Sequence, residues 1–241
     1  MDNLTYTAKY KIKASEVDMH SQLTYKDLFV YLENIASEHS KILNLGREAL
    51  LEKGLVWVLA RVEVEMTRLP KFDELISITT WPGLTKKFLY PRYFTIYDSN
   101  MNEIGKIASV WTLFDINSRN LASDIDNLMV IKPLDKQYPM PRKINLVPYN
   151  YEISYRPTYS DFDCNQHMNN TRYMEVVYDL LGFKFFDKNE ITHVVVNYVR
   201  EINDYDEYRV KYSFIDDKAY VFIMKNEETY FACEISYRER K

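Results

Sequence analysis

An internal repeat constrains the fold of this chain more than any other feature of its sequence. The segment SEVDMHSQLTYKDLFVYLEN, which starts at Ser15, aligns without gaps with SDFDCNQHMNNTRYMEVVYD, which starts at Ser160. The alignment pairs Asp18 with Asp163. Two unrelated domains can match over a short stretch by chance. A gap-free match that continues into a shared helical pattern favours two copies of one fold.

A helix is predicted in each copy, because apolar side chains recur there at spacings of three and four residues. Thr24 is a candidate N-cap in the first copy, and Asn169 or Asn170 in the second. The apolar positions are Leu28, Tyr31, Leu32, Ile35 and Ala36 in the first copy and Tyr173, Val176, Val177, Leu180 and Leu181 in the second.

Strand-like segments follow each predicted helix. The clearest is VWVLARVEVEMT, in which apolar and charged residues alternate with period two. In each copy the predicted order is a short strand, a long helix and about four antiparallel strands. This order predicts an α+β fold, with a curled antiparallel sheet wrapped around one helix in each copy. The apolar side of VWVLARVEVEMT is predicted to consist of Val58, Ala60, Val62, Val64 and Met66.

The two copies are separated by a proline-rich stretch. Half of the eight prolines lie between Asn117 and Tyr149, which is typical of an interdomain connector. We therefore expect an N-terminal domain over residues 1–130, a linker over 131–148 and a C-terminal domain over 149–241.

Composition disfavours several classes of function. With only five glycines and neither GxGxxG nor GxxxxGK, the chain is not expected to bind a nucleotide cofactor through those motifs. A net charge of −4 gives no sign of nucleic-acid binding. No apolar run approaches the ~18–20 residues that span a bilayer, and the first residues resemble neither a signal nor a transit peptide. Cys164 and Cys233 have no metal-ligand spacing, so we expect a reduced cytoplasmic protein without a metal cofactor.

The stretch DFDCNQHMNN before the second helix is unusually polar. Such residues often cap a helix, which is the simplest alternative to a functional site. The first copy argues against capping alone, because it has His20 and Gln22 where the second has Asn165 and His167. If these residues only capped a helix, the second copy would not need Asn165 and His167 where the first copy does without them. We therefore predict a functional site in the second half.

The repeat, the DFDCNQHMNN stretch and the segments WVLARVEVEMTRLPKFDELISITTW and SVWTLFDINSRNLA together resemble acyl-acyl carrier protein (acyl-ACP) thioesterases of the plant and bacterial type. The resemblance extends from about Tyr6 to Arg238. It implies two tandem hotdog domains, with the active site mainly in the C-terminal one. It also implies hydrolysis of fatty acyl-ACP to free fatty acid in fatty acid biosynthesis, with acyl carrier protein as the partner.

The family's catalytic pattern is an Asp-x-Asn-x-His run followed by Asn-Asn, and Asp163, Asn165 and His167 match it. A downstream glutamate of the family matches Glu201, which we expect on a strand of the same domain. The resemblance thus implies these four residues as catalytic. Many members have a cysteine directly after the glutamate, whereas this chain has Ile202, so a mechanism that needs that thiol is not available.

These residue types suit thioester hydrolysis. In an extended segment, Asp163, Asn165 and His167 would project to one side. A histidine can shuttle a proton near neutral pH. The aspartate can orient it or act as base or nucleophile, and the asparagine can position a water or donate to the thioester oxygen. The same alternation would turn Cys164 to the opposite face as a small buried residue.

The sequence is compatible with other functions. Convergence of Asp163, His167 and Glu201 could also form a metal site. The protein could be an acyl-CoA thioesterase of the hotdog class, or a non-catalytic acyl-binding hotdog protein. A tandem repeat supplies its own internal pairing, so both a monomer and a homodimer are compatible with the sequence.

Overall fold

The computed structural model describes residues 4–122 and 134–240. Contacts divide the chain into two compact units. The first unit comprises Met1–Ala60 and Met66–Pro141, and the second comprises Arg61–Glu65 and Arg142–Lys241. The start of the expected linker, residues 131–133, lies outside the described residues, so the linker bounds stay a prediction.

The first unit is an antiparallel sheet with one long helix. Its strands are neighbours in the order β1-β3-β4-β5-β2, and β6 pairs with β5. The elements are β1 (Tyr6–Lys11), α1 (Tyr25–Ile42), α2 (Arg47–Leu51), β2 (Leu55–Met66), β3 (Leu75–Pro82), β4 (Tyr90–Tyr97), β5 (Glu103–Asp115) and β6 (Asn120–Leu121).

Helix α1 forms where the sequence predicts it. Thr24 caps it as expected, since its side chain accepts a hydrogen bond from the backbone N–H of Asp27. All five predicted apolar positions of α1 are buried. Burial of a side chain such as Leu28 contributes about 1.5–3 kcal/mol to folding, so this stripe accounts for much of the helix's stability.

Strand β2 follows the predicted alternation only in its second half. Val62, Val64 and Met66 are buried as expected, whereas Val58 is only half-buried and Leu59 is buried instead. The prediction for the first half is wrong because the start of the strand packs into a separate apolar cluster. That cluster consists of Leu45, Leu50, Leu55, Tyr90 and Leu113.

The second unit repeats this architecture. Its strands are neighbours in the order β8-β11-β10-β9-β7, and Arg61–Glu65 pairs antiparallel with β8. The elements are β7 (Tyr151–Tyr155), α3 (Arg172–Lys188), β8 (Asn189–Tyr198), β9 (Tyr208–Ile215), β10 (Lys218–Lys225) and β11 (Glu228–Glu239).

Helix α3 buries part of its predicted stripe. Tyr173, Val177 and Leu181 are buried, whereas Val176 and Leu180 are half-buried. The helix is interrupted near its end at Gly182, whose backbone angles are φ 70° and ψ 177°. Only glycine adopts such angles readily, so this residue sets the position of the break.

No helix within residues 4–122 and 134–240 is both long enough and apolar enough to cross a membrane.

Candidate active site

Residues 162–168 form a tight turn, here named the Asp163 turn. Phe162 and Met168 pair as an antiparallel bridge, and the backbone N–H of Asp163 donates to the carbonyl of His167 at 3.0 Å. Between them, Gln166 has a positive φ of 64°. The expectation of an extended segment is therefore wrong: the chain reverses direction here.

The side chain of Asp163 explains this reversal. Its Oδ1 accepts the backbone N–H of Asn165 at 2.7 Å, a local bond that favours a turn over a strand. Its Oδ2 lies 3.4 Å from Nδ2 of Asn165, so the carboxylate also contacts the side-chain amide.

The first unit contains the same turn. Oδ1 of Asp18 accepts the backbone N–H groups of His20 and Gln22, each at 2.9 Å, and Ser21 has a positive φ of 58°. The backbone N–H of Asp18 donates to the carbonyl of Gln22 at 2.8 Å. The backbone role of the aspartate is thus common to both copies. The difference between the copies lies in the residues that the turn presents.

Glu201 lies just beyond the end of β8 and not on a strand as expected. The carbonyl of Tyr230 accepts the N–H groups of both Val199 and Arg200, so regular pairing ends there. The chain then turns toward the Asp163 turn, where the carbonyl of Ile202 accepts the N–H of Met168 at 2.8 Å. Met168 directly follows His167, and Ile202 directly follows Glu201. The bond between them therefore places the side chains of His167 and Glu201 next to each other.

His167 and Glu201 form the central side-chain contact of the site. Nε2 of His167 lies 3.3 Å from Oε2 of Glu201, and the two side chains are 36% and 52% exposed. A contact between two side chains this exposed contributes little to stability. It does leave both groups open to a substrate, as acid–base chemistry requires.

Within residues 4–122, the equivalent turn of the first unit has no counterpart of this pair. The carbonyl of Pro70 accepts the N–H of Leu23 at 2.8 Å, just as Ile202 does for Met168. By this equivalence, Gln22 and the buried Leu69 take the places of His167 and Glu201. The first copy therefore retains the backbone of the turn, but it has neither a histidine nor a glutamate at these two positions.

Helix α3 begins slightly later than the predicted caps imply. Its N-cap is Thr171, whose side chain makes no capping bond to the helix. Oδ1 of Asn169 accepts the backbone N–H of Thr171 at 2.9 Å and its hydroxyl at 2.7 Å. Asn169 thus stabilises the turn that joins the site to α3, and Asn170 accepts the hydroxyl of Tyr198 through its carbonyl.

The cysteines differ from each other in environment. Cys164 is exposed, so the expectation of a buried residue is wrong, because the segment turns instead of alternating. Cys233 is fully buried on β11, and burial raises the pKa of its thiol. In the described part of the chain, no group of three or more His, Cys, Asp or Glu side chains is arranged to hold a metal ion.

Sequence reasoning missed the residues that anchor the segment after Glu201. Asp204 contacts Lys225 on β10 and Tyr208 at the start of β9. No local pattern marks Lys225, because its partners lie 21 and 19 positions earlier.

Solved structures share this fold over nearly the whole chain. An acyl-ACP thioesterase from Bacteroides thetaiotaomicron is 25% identical with a TM-score of 0.83, and the match covers 98% of both chains. The 12:0-ACP thioesterase from Umbellularia californica, at 18% identity, gives a TM-score of 0.84 and also covers 98% of both chains. The protein is therefore of the hotdog class, with two tandem hotdog domains, and the predicted α+β fold is confirmed.

Family models define the protein further. The acyl-ACP thioesterase N-terminal domain matches residues 3–131, and the C-terminal domain matches residues 148–240. These matches cover most of the sequence, and the chain belongs to the acyl-ACP thioesterase family.

Curated relatives are longer than this chain. The chloroplastic oleoyl-acyl carrier protein thioesterase 1 of Arabidopsis thaliana is 24% identical over 226 residues, which is 85% of this chain and 62% of the relative. The chloroplastic palmitoyl-acyl carrier protein thioesterase of Cuphea hookeriana is 22% identical over 83% of this chain and 52% of its own length. The chain thus spans between half and two thirds of these relatives.

Proposed function

We propose that the protein hydrolyses the thioester of fatty acyl-ACP and releases free fatty acid and acyl carrier protein in fatty acid biosynthesis. Membership of the acyl-ACP thioesterase family supports the reaction class. The observation that carries the proposal is the contact between His167 and Glu201 at 3.3 Å. Among the described residues, the contact occurs in the copy that has Asn165 and His167, on a turn that both copies share.

The proposed mechanism uses a water molecule as nucleophile. His167, held by Glu201, accepts a proton from the water while the water oxygen attacks the thioester carbonyl. The carbon–sulfur bond then breaks, and the thiolate leaves with the proton that His167 returns. The side-chain amide of Asn165, exposed at the tip of the turn, donates to the developing oxyanion, a contribution worth ~100–1000-fold in rate for one such donor. Asp163 keeps that amide in place through the contacts described above.

A turnover assay tests this proposal. The purified protein is given acyl-ACP and, separately, acyl-CoA, and the released thiol is followed. We expect hydrolysis of acyl-ACP, and His167→Ala should lower kcat by roughly 100-fold or more while the protein stays folded. Gln22→Ala changes the equivalent position of the first copy and is the matched control, with kcat close to that of the wild type.

The possible outcomes separate the competing functions. Faster turnover of acyl-CoA than of acyl-ACP would identify an acyl-CoA thioesterase. Binding of an acyl group without turnover would identify a non-catalytic acyl-binding protein. A folded His167→Ala protein with wild-type kcat would contradict the assignment of this residue.

The cellular setting completes the proposal. We place the protein in the cytoplasm, where a thiol as exposed as that of Cys164 stays reduced. Acyl carrier protein is the partner that supplies the substrate, and the protein acts as a monomer or a homodimer. Sedimentation of the purified protein would distinguish the two oligomeric states.

A further inference from the structure

An ion-pair cluster holds the far end of the loop that carries Glu201. This loop, residues 199–207, connects β8 to β9 and is here named the Glu201 loop. Nζ of Lys225 lies 2.7 Å from Oδ2 of Asp204 and 2.7 Å from Oδ2 of Asp206. The hydroxyl of Tyr208 donates to the other oxygen of Asp204 at 3.0 Å.

Lys225 is well placed to act as a rigid anchor. It is the last residue of β10, in the sheet of the second unit, and its side chain is only 18% exposed. Its ammonium group also lies 5.2 Å from the centre of the Tyr208 ring. Hydrogen bonds to Asp204 and Asp206 raise its pKa, so the charge is retained across the neutral range.

The other side of the Glu201 loop contacts the Asp163 turn at two points. One is the hydrogen bond from the N–H of Met168 to the carbonyl of Ile202. The other is a ring contact between Phe162 and Tyr205, with centroids 4.8 Å apart. The loop thus lies between the anchor on β10 and the turn that presents His167.

Glu201 is close enough along the chain to respond to the anchor. It lies three residues from Asp204, a separation of at most about 10 Å in a fully extended chain. A displacement of about 1 Å in a reacting group can cost ~100-fold in rate. Loss of the anchor can therefore reduce the rate without disturbing the sheet.

We propose that Lys225 is a positioning residue, which acts through Asp204 to hold the Glu201 loop where the Glu201 carboxylate meets His167. The proposal rests on the thioesterase function proposed above. Lys225 itself does not touch the reacting atoms. Its effect should consequently disappear once the Glu201 carboxylate has been removed.

The first test compares two lysines of the same strand. Lys218, at the opposite end of β10, also lies 2.7 Å from a carboxylate, that of Glu234. Lys225→Met should lower kcat at least tenfold with KM within twofold of the wild type, whereas Lys218→Met should leave kcat within twofold. Asp204→Asn removes the charge of the partner and should reproduce the effect of Lys225→Met, while Lys225→Arg should restore most of the rate.

A double-variant cycle distinguishes positioning from general destabilisation. In a Glu201→Gln background, Lys225→Met should cause no further loss of kcat, since residues that act as a unit are not additive. Additive losses, or equal kcat values for the Lys225→Met and Lys218→Met proteins, would overturn the proposal.

Hydrogen–deuterium exchange tests the anchor without reference to activity. Lys225→Met should increase exchange of the amides in the Glu201 loop, and Lys218→Met should not. If the wild type hydrolyses no thioester, the proposed function fails while this measurement still decides the anchor. If the wild type is active but exchange in the loop is unchanged by Lys225→Met, the positioning role is wrong.

Discussion

At the scale of single residues, Asp163 combines a structural contact with a candidate catalytic one. Its Oδ1 accepts a backbone N–H of the turn, as Oδ1 of Asp18 does in the first unit. Its Oδ2 faces the side-chain amide of Asn165. An asparagine retains a carbonyl oxygen for the backbone bond but loses the negative charge, so substitution can separate the two roles.

We predict that Asp163→Asn lowers kcat while leaving the free energy of unfolding nearly unchanged. Asp163→Ala should lower kcat as well and also reduce the free energy of unfolding by ~0.5–1.5 kcal/mol, because the backbone hydrogen bond is lost. The matched controls are in the first unit: Asp18→Ala should show the stability effect without the rate effect, and Asp18→Asn should show neither. Urea unfolding and steady-state kinetics measure the two quantities. A wild-type kcat for Asp163→Asn would restrict Asp163 to a scaffold role.

The sequence predicts which residues form the candidate site, which stays a prediction, but it does not predict how they are placed. The repeat shows that the first copy has Gln22 at the position equivalent to His167, and the resemblance implies Glu201 as a further site residue. The turn itself was not predicted, because it depends on the φ of Gln166 and on a side-chain bond that alternation rules ignore. The proximity of Glu201 depends on a hydrogen bond between Met168 and Ile202, which are distant in sequence.

At the scale of elements, the long helix of the first unit was the most predictable feature. Its apolar spacing and its Thr24 cap act locally, so sequence alone determines both. Helix α3 was less predictable. The break at Gly182 needs a positive φ, and an isolated glycine in a helical pattern does not by itself reveal one.

We predict that Gly182→Ala destabilises the protein through its backbone alone. A Cβ atom at this position meets nothing within 4 Å, so no steric clash is created. The strained φ of 70° should instead cost ~1–3 kcal/mol in the free energy of unfolding. Gly46→Ala is a useful contrast: with φ −68° its backbone suits alanine, but its Cβ would lie 2.8 Å from Cγ and 3.2 Å from the backbone Cα of Lys41, so any loss of stability there would come from crowding. Unchanged stability of Gly182→Ala in urea unfolding would show that α3 can run through this position without a break.

At the scale of the whole molecule, acid stability should depend on a buried carboxylate of the second unit. Glu234 on β11 is only 3% exposed. Burial by itself would raise its pKa, but hydrogen bonds from Arg142 and Lys218 outweigh burial and bring the pKa below its ordinary value. Arg142 lies in the segment that leads into the second unit, and its backbone N–H also donates to Glu63. This ion-pair cluster thus fastens that segment to the sheet.

A lowered pKa in the folded state stabilises the protein fully above the unfolded pKa, near 4.3 for glutamate, and the contribution is lost as pH falls through the folded value. We therefore predict that Glu234→Gln is less stable than the wild type at pH 7 and that the difference shrinks below about pH 4.

Urea unfolding between pH 7 and 3 measures this difference in the free energy of unfolding. It should be followed by circular dichroism, because Trp57, Trp81 and Trp111 all lie in the first unit. Glu239→Gln, at an exposed position on the same strand, should show little difference at any pH. A Glu234→Gln difference that stays constant or grows on acidification would contradict the ion-pair explanation.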